Sequence, residues 1–446
     1  VPYIPNTDDD RKAMLQVVGL ERLEDLFASI PAHLRLKGPP DLPPAVSEVE
    51  AQRLAAGLRA RNRGPQDLVS FLGAGYYDSF SPEVIDHLML RGEFLTSYTP
   101  YQAETSQGTL QYLFEWQTLV CELTGLEISN AGLYEAGSAL AEAVLMARDL
   151  TRRDRVVLPR SVHPEYRAVV KTYVRFLGME VVETPVNGTV ADADALIGAI
   201  DERTAAAVVP SPNFFGSLED GAPVAARAKE RGALAIAVVD PLSLALLRPP
   251  GEWGADIAVG EGQTIGSHPY YGGPTIGFLA ARAEHLRRMP GRIIGQTVDL
   301  EGKRGFTMTF QTREQHIRRE KATSNICTSQ SLLALRSAIY LSLLGKTGLR
   351  RVAELCLQKA HYLASKLAAV PGCSVVNRGP WFREFTLQVP GDAAERVSRL
   401  VAKGFLAGVP LSRFDPAERA KLLIAVTEKR TKDEMDRFAA ALAETR

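Results

Sequence analysis

Between Thr96 and Gly108 the chain reads TSYTPYQAETSQG, a run that crowds hydroxyls, phenols, amides and a carboxylate around Pro100. Tyr98 and Tyr101 stand out, because a phenol packs through its ring and donates a hydrogen bond from its edge. Thr96, Ser97, Gln102, Glu104 and Gln107 add further donors and acceptors. Such a run either caps the next helix from an exposed loop or enters a binding site. Three other places carry different chemistry. Gly137-Ser138 opens a helical pattern, where free N–H groups and a hydroxyl cradle an anion such as phosphate or simply start a helix. His163 precedes Pro164 at another helix start, placed to stack on a ligand ring or to remain an ordinary loop histidine. Asp240 ends the apolar run Ala233–Val239. There it is either a counter-charge for a cationic ligand or the cap of an Asp-Pro turn.

Weaker signals surround these. The stretch GAGYYDS, Gly73–Ser79, lacks the Gly-Lys-Ser/Thr ending of a phosphate loop and reads as a turn, with Tyr76 and Tyr77 free to line an entrance. Arg313, Arg318, Arg319 and Lys321 form a basic run at helical spacing, a solvated face or a dock for an acidic carrier. Cys121, Cys327, Cys356 and Cys373 show neither CxxC nor zinc-ligand spacing. No metal site is expected, and reduced thiols in a cytoplasm are. Cys327, in SNICTS, is the thiol whose reactivity stays open.

The elements that must hold these residues fall into three stretches. Residues 1–66 read as a helical arm. Asn6-Thr7 caps a first helix with Asp8, Asp9 and Asp10 at its positive end, and a charged helix from about Glu48 to Arg61 follows a Pro-rich break. The arm is too small and polar for a core of its own and is expected to pack on something else. Residues 67–327 alternate short apolar runs (Arg155–Leu158, Glu180–Val186, Ala205–Val209, Ala233–Val239) with helical patterns such as Thr109–Leu123, Ala139–Leu150, Glu165–Phe176 and Asp192–Ile200. That alternation predicts an α/β domain with a mixed, mostly parallel sheet, which binds ligands at the carboxyl ends of its strands. Residues 328–446 predict a small α+β domain: a long helical pattern to about Val370, strands at Glu384–Val389 and Leu422–Val426, and a closing helix at Asp433–Leu442.

Composition sets the outer bounds. Lys+Arg and Asp+Glu both number 52 in 446 residues, so the formal net charge is zero. Nothing in that balance points to nucleic acid or an anionic membrane. The start, VPYIPNTDDD, has no basic-plus-apolar leader, and no uninterrupted apolar run reaches the roughly 18 residues of a membrane span. A soluble cytoplasmic chain is expected, and its neutrality leaves room for a protein partner.

Four stretches together resemble one family: YIPNTDDDRKAMLQVVG at the start; FLTSYTPYQAETSQGTLQYLFEWQTLVCELTGLEISNA from Phe94; DPLSLALLRPPGEWGADIAVGEGQ from Asp240; and REQHIRREKATSNICTSQSLLAL from Arg313. They look like the α-type subunit of the two-subunit glycine decarboxylase, the P-protein of the glycine cleavage system. The resemblance runs nearly end to end. It implies an aspartate-aminotransferase-like, pyridoxal-phosphate (PLP) fold type I architecture with a seven-stranded large domain. It also implies a PLP-carrying second subunit, in an αβ or α2β2 assembly. The complex would decarboxylate glycine, release carbon dioxide and pass the aminomethyl group to the lipoyl arm of the H-protein.

An enzyme of this kind needs a lysine for the Schiff base, an anion at the pyridinium nitrogen, phosphate donors and a ring stacked on the cofactor. Asp240, Gly137, Ser138 and His163 echo the last three. The lysine is missing: the loop where it belongs, GEGQTIGSHPYYGGP at Gly260–Pro274, has none, and none occurs between Lys229 and Lys303. Arginine stays protonated and imidazole forms no stable imine, so neither substitutes. These four positions therefore read as a vestigial cofactor site, with PLP held covalently by the partner and not by this chain. Tyr98 and Tyr101, with the polar residues around them, are expected to reach across the interface into the partner's active site. The alternatives are a purely structural subunit, or an independent PLP enzyme using an unexpected lysine such as Lys303 or Lys321.

Overall fold

The structure, a computed structural model, describes residues 5–95, 98–327 and 330–445. It divides into two units, Val1–Arg63 and Gly64–Arg446. In the first, α1 (Asp8–Val18) and α2 (Glu48–Arg59) each begin with a reciprocal cap. The Thr7 hydroxyl accepts from Asp10 N while Asp10 accepts from Thr7 N, and Ser47 and Glu50 repeat the exchange. These bonds are local, so they start a helix without a core. Neither helix buries a side chain: Met14, Val17, Val18, Leu54 and Leu58 are all exposed.

The second unit starts with β1 (Val69–Ser70), α3 (Glu83–Met89), α4 (Gln107–Thr124), β2 (Ile128–Ser129), α5 (Ala136–Thr151), β3 (Arg155–Pro159), α6 (Pro164–Val174) and β4 (Glu180–Thr184). A small hairpin, β5 (Val186–Asn187) and β6 (Val190–Ala191), leads to α7 (Ala193–Gly198), β7 (Thr204–Ser211), α8 (Ala222–Glu230), β8 (Leu234–Val239), β9 (Ile257–Glu261) and β10 (Gly277–Ala281). These build a seven-stranded sheet in the order β2-β10-β9-β8-β7-β3-β4. It is parallel from β9 to β4, and β10 runs antiparallel to both its neighbours.

Period-two alternation sorts the strand residues between layers. Val156, Leu158, Val208, Ile236 and Val259 face α5 and α6. Val157, Ala207 and Ala235 face α7 and α8, and Ala237, Ala258 and Ala280 face α4 and the long helix α10 (Ser331–Ala368). Both faces are covered, which explains why the central strands read as continuous apolar runs rather than alternating ones.

A hairpin of β11 (Ile293–Val298) and β12 (Arg304–Thr309) and a short α9 (Gln315–Arg318) precede α10 (Ser331–Ala368), which is broken at Gly345, φ +58°. Among the described residues α10 is the one helix long and apolar enough to cross a membrane, but half of its most apolar stretch is buried in the body, as in a core helix. The chain ends with β13 (Ser374–Val375), β14 (Glu384–Gln388), α11 (Ala393–Ala402), β15 (Phe405–Leu406), β16 (Val409–Pro410), β17 (Lys421–Ala425) and α12 (Lys432–Glu444). Its four-stranded sheet has the order β13-β14-β17-β16. The segment just after the arm, expected to belong wholly to the large domain, also joins this end: β1 pairs in parallel with β15, and Phe71 stacks on Phe438 at 4.4 Å.

Candidate functional site

The carboxyl ends of β7, β8 and β9 surround a cavity of about 70 Å³ lined by Tyr77, His163, Asp240, Glu261, Arg383 and Glu384, among others. Two predicted positions, His163 and Asp240, line it, and two more, Gly137 and Ser138, follow the lining residue Ala136. Ser138 is buried in the first turn of α5 next to Gly137, His163 starts α6, and Asp240 follows β8.

At the α5 end the donors are spent inside the chain. Ser138 N donates to Glu135 Oε2 at 2.7 Å, and the Ser138 hydroxyl donates to Glu135 Oε1. Ala136 N donates to Glu261 Oε2 at 3.2 Å, while Glu261 Oε1 accepts from Gln263 N at 3.0 Å and from the Thr275 hydroxyl. Burial pushes Glu261 up to about 8, against the lowering effect of these bonds. A side-chain carbon added at Gly137 would lie 3.2 Å from the Glu135 carboxylate and 3.3 Å from Tyr166 and Val169.

His163 caps α6, its Nδ1 accepting from Glu165 N at 3.1 Å. That bond places the proton on Nε2, which donates to the Ala74 carbonyl at 3.1 Å. Burial lowers its pKa to about 4, so the ring is neutral. It stacks on Tyr166 at 4.6 Å and meets the edge of Phe214 at 4.9 Å.

Asp240 caps the Asp-Pro turn, one of its two expected roles, and its other oxygen meets a cation of the chain itself rather than a ligand. Oδ1 accepts from Leu242 N at 3.0 Å, a turn cap, while Oδ2 faces a cation: Arg383 Nη2 at 2.6 Å. Arg383, 1% exposed, also donates from Nη1 to Thr264 Oγ1 at 2.8 Å and lies 3.7 Å over the Tyr77 ring. Burial works against its charge, but Asp240 and the other acidic neighbours hold the guanidinium protonated. Next to it, Glu384 accepts from Ala74 N at 2.7 Å and from the Tyr77 hydroxyl at 3.0 Å, and burial pushes it up to about 7. Tyr77, expected at an entrance, is therefore a wall of the cavity. Arg383, Glu384, Glu135 and Glu261 were not singled out in the sequence. The signal was present in WFREFTLQV, where two opposite charges open an otherwise apolar strand.

The polar run lies elsewhere on the surface of this unit. Thr96 and Ser97 fall outside the described residues. Tyr98 is 83% and Tyr101 51% exposed, with the Arg292 guanidinium 5.8 Å from the Tyr101 ring, and Gln102 and Glu104 are exposed or nearly so. Gln107 is committed inside the chain, in the first turn of α4. Its amide donates to Ala103 O at 2.7 Å and Phe306 O at 2.8 Å and accepts from Phe306 N at 2.9 Å, tying α4 to β12.

The basic run is not a uniform face either. Arg313 turns inward to the carbonyls of Met289 and Gly291, and Arg318 Nε bonds Thr312 O at 3.1 Å. Lys303 pairs with Glu301 at 2.6 Å on an exposed turn, and neither it nor Lys321 lines the cavity. Cys327 is exposed, and its backbone N–H donates to the Tyr134 hydroxyl at 3.1 Å. All four cysteines are free thiols, and among the described residues no His, Cys, Asp and Glu cluster is arranged for a metal.

Three kinds of likeness bear on these sites. The family model described as "Glycine cleavage system P-protein" matches residues 1–442. A protein of Citrifermentans bemidjiense named "Probable glycine dehydrogenase (decarboxylating) subunit 1" is 50% identical over 442 residues, covering 99% of each chain. A crystal structure of glycine decarboxylase (P-protein) of the glycine cleavage system, in inhibitor-bound form, superposes with a TM-score of 0.90 at 43% identity over 100% of both chains. Glutamate decarboxylase of Lactobacillus brevis, with a TM-score of 0.68 at 14% identity over 94% of this chain and 97% of that one, shares the fold alone.

Proposed function

Since the chain belongs to the glycine cleavage system P-protein family, we propose that it is the half of a two-subunit glycine decarboxylase that holds no cofactor itself and completes the active site of the half that does. It is a P-protein subunit with the aspartate-aminotransferase-like, PLP fold type I architecture, and it acts in glycine decarboxylation as part of a complex. The observation that carries the finer reading is the missing lysine. None occurs between Lys229 and Lys303, a span that includes all of β8, β9 and β10, and none lines the cavity.

Pyridoxal phosphate supplies the electron sink for the decarboxylation, and in this reading the second subunit binds it through a lysine. What this chain adds is the loop of Tyr98 and Tyr101. Their exposed phenols are suited to cover the partner's cofactor and to donate a hydrogen bond to charge that develops there. The arm, with two capped helices and no buried side chain, gives the partner a second surface to cover. The lipoylated H-protein receives the aminomethyl group, and free thiols throughout fit a reducing cytoplasm.

Borohydride reduction of the assembled complex, followed by peptide mapping, tests the assignment. The phosphopyridoxyl adduct is expected on a lysine of the second subunit. Near-unit labelling of any lysine in this chain overturns it.

A further inference from the structure

We infer that the cofactor cradle of this chain is occupied by its own side chains, so that it accepts no pyridoxal phosphate, covalent or otherwise, and instead joins the C-terminal sheet to the central one. This rests on the reading that the second subunit holds the cofactor, but it goes further. A missing lysine removes only the covalent bond, whereas phosphate donors, a pyridinium counter-charge and a stacking ring can hold such a molecule without it.

Each of those three parts is already engaged. A helix N-terminus binds phosphate through unsatisfied N–H groups. At α5 the N–H groups of Ala136 and Ser138 and the Ser138 hydroxyl all point at carboxylates of Glu261 and Glu135. An incoming phosphate would have to displace two acidic side chains. The flank of that first turn is filled as well: a single carbon at Gly137 would already meet Glu135, Tyr166 and Val169 at 3.2–3.3 Å.

At the opposite end, the charge of Asp240 is met by Arg383 at 2.6 Å, so it has no cation left to recruit. The guanidinium carbon lies 3.7 Å from the centre of the Tyr77 ring. A planar cation over a ring beside an aspartate is what a pyridinium would be there, and the chain supplies it from the residue just before β14. The ring of His163 is stacked on Tyr166. The space that remains is about 70 Å³. That is well below the roughly 300–1,000 Å³ of a small-molecule pocket.

The filling groups come from two layers. Arg383 and Glu384 stand at the head of the C-terminal sheet, and their partners Asp240, Thr264, Ala74 and Tyr77 stand on or beside the central one. The approach is close enough to require glycines. A side-chain carbon at Gly73 would lie 1.9 Å from the Glu384 carboxylate, and one at Gly216, where φ is +86°, would lie 1.8 Å from the Glu384 carbonyl. The former ligand gap is now a packed joint.

The test uses the assembled complex. Borohydride first fixes the cofactor on whichever subunit carries it, and the reduced complex is then titrated with pyridoxine 5′-phosphate, which has no aldehyde and binds only non-covalently. No saturable binding beyond the fixed equivalent is expected. A second equivalent, weakened at least tenfold by Asp240→Asn in this chain, overturns the inference while leaving the subunit assignment intact. An adduct mapped to this chain overturns both. Glu135→Ala, which frees Ser138 N and its hydroxyl, is expected to raise affinity for inorganic phosphate at least tenfold, read by phosphate-dependent protection of the Ser138 amide from hydrogen exchange. No gain removes Glu135 from the role of occupant.

Discussion

The cavity at the strand ends and the Tyr98–Gln107 segment hold similar chemical groups (phenols, carboxylates, amides, hydroxyls) in opposite conditions. In the cavity Asp240, Glu384 and the donors at the start of α5 meet partners from the same chain, and Arg383 is 1% exposed. In the segment the two phenols are largely exposed, while Gln107 ties α4 to β12. Buried ionic groups persist only when pairing offsets the loss of hydration. On the proposed reading, the first region serves structure and the second serves the partner's chemistry.

The sharpest way to break that contrast is to cut the buried bridge. Arg383→Met leaves Asp240, 15% exposed, without its counter-charge, and is expected to cost about 3 kcal/mol of stability in urea denaturation, while adding Asp240→Asn restores part of it. A loss below about 1 kcal/mol for the single variant would mean the cavity is not a joint.

On the loop side, Tyr98→Phe or Tyr101→Phe keeps the ring and removes only the hydroxyl. The complex is expected to lose about 5- to 150-fold in glycine–carbon dioxide exchange, equivalent to about 1–3 kcal/mol, with the melting temperature unchanged. Wild-type exchange in both single variants and the double variant would reduce this subunit to a scaffold.

A third measurement is the pH dependence of stability. Burial raises the folded-state pKa of Glu261 to about 8 and of Glu384 to about 7, so both keep protons that the unfolded chain has lost. Their stabilisation is complete below the unfolded carboxylate pKa and is lost as pH rises through 7 to 8. His163, lowered to about 4, acts in the other direction, but only below about pH 6.5, where the unfolded histidine gains a proton. Unfolding free energy is therefore expected to fall between pH 6.5 and 8, at up to about 1.4 kcal/mol per pH unit for each carboxyl that still holds its proton. Glu384→Gln, which still bonds the Tyr77 hydroxyl, should flatten part of that slope. A profile flat across the window in the wild type would count against buried protonated carboxylates. The smallest effect belongs to the exposed Glu104: Glu104→Gln should change stability by no more than about 0.5 kcal/mol, and a larger loss would show the segment to be part of the fold after all.

Much of the framework was legible in the sequence because its signals are local. The apolar runs at Arg155–Leu158 and Ala233–Val239 became β3 and β8, and Thr7 and Asp8 marked the start of α1. Pairings set by tertiary contact were not legible. Two-residue strands such as β1 and β15 have no pattern to detect, and their partnership depends on a sheet that forms around them. The same holds within the cavity. Asp240 could be found at a strand end, and both of its roles were open; only the fold brings Arg383, from a strand far along the chain, to its second oxygen. Gln107 shows the converse. Its polarity marked it for a binding loop, but the neighbouring hairpin had unpaired backbone groups that its amide satisfies.

The filled cradle also bears on history. Regaining a cofactor would require a lysine in Gly260–Pro274, removal of Arg383 from Asp240 and withdrawal of Glu135 and Glu261 from α5. Taken alone, stripping Arg383 from Asp240 leaves a buried charge unmatched, and withdrawing a carboxylate leaves α5 donors without acceptors. On the proposed reading the joint acts as an evolutionary ratchet: with no lysine in that loop and the cradle filled, a division of labour between two subunits is hard to reverse.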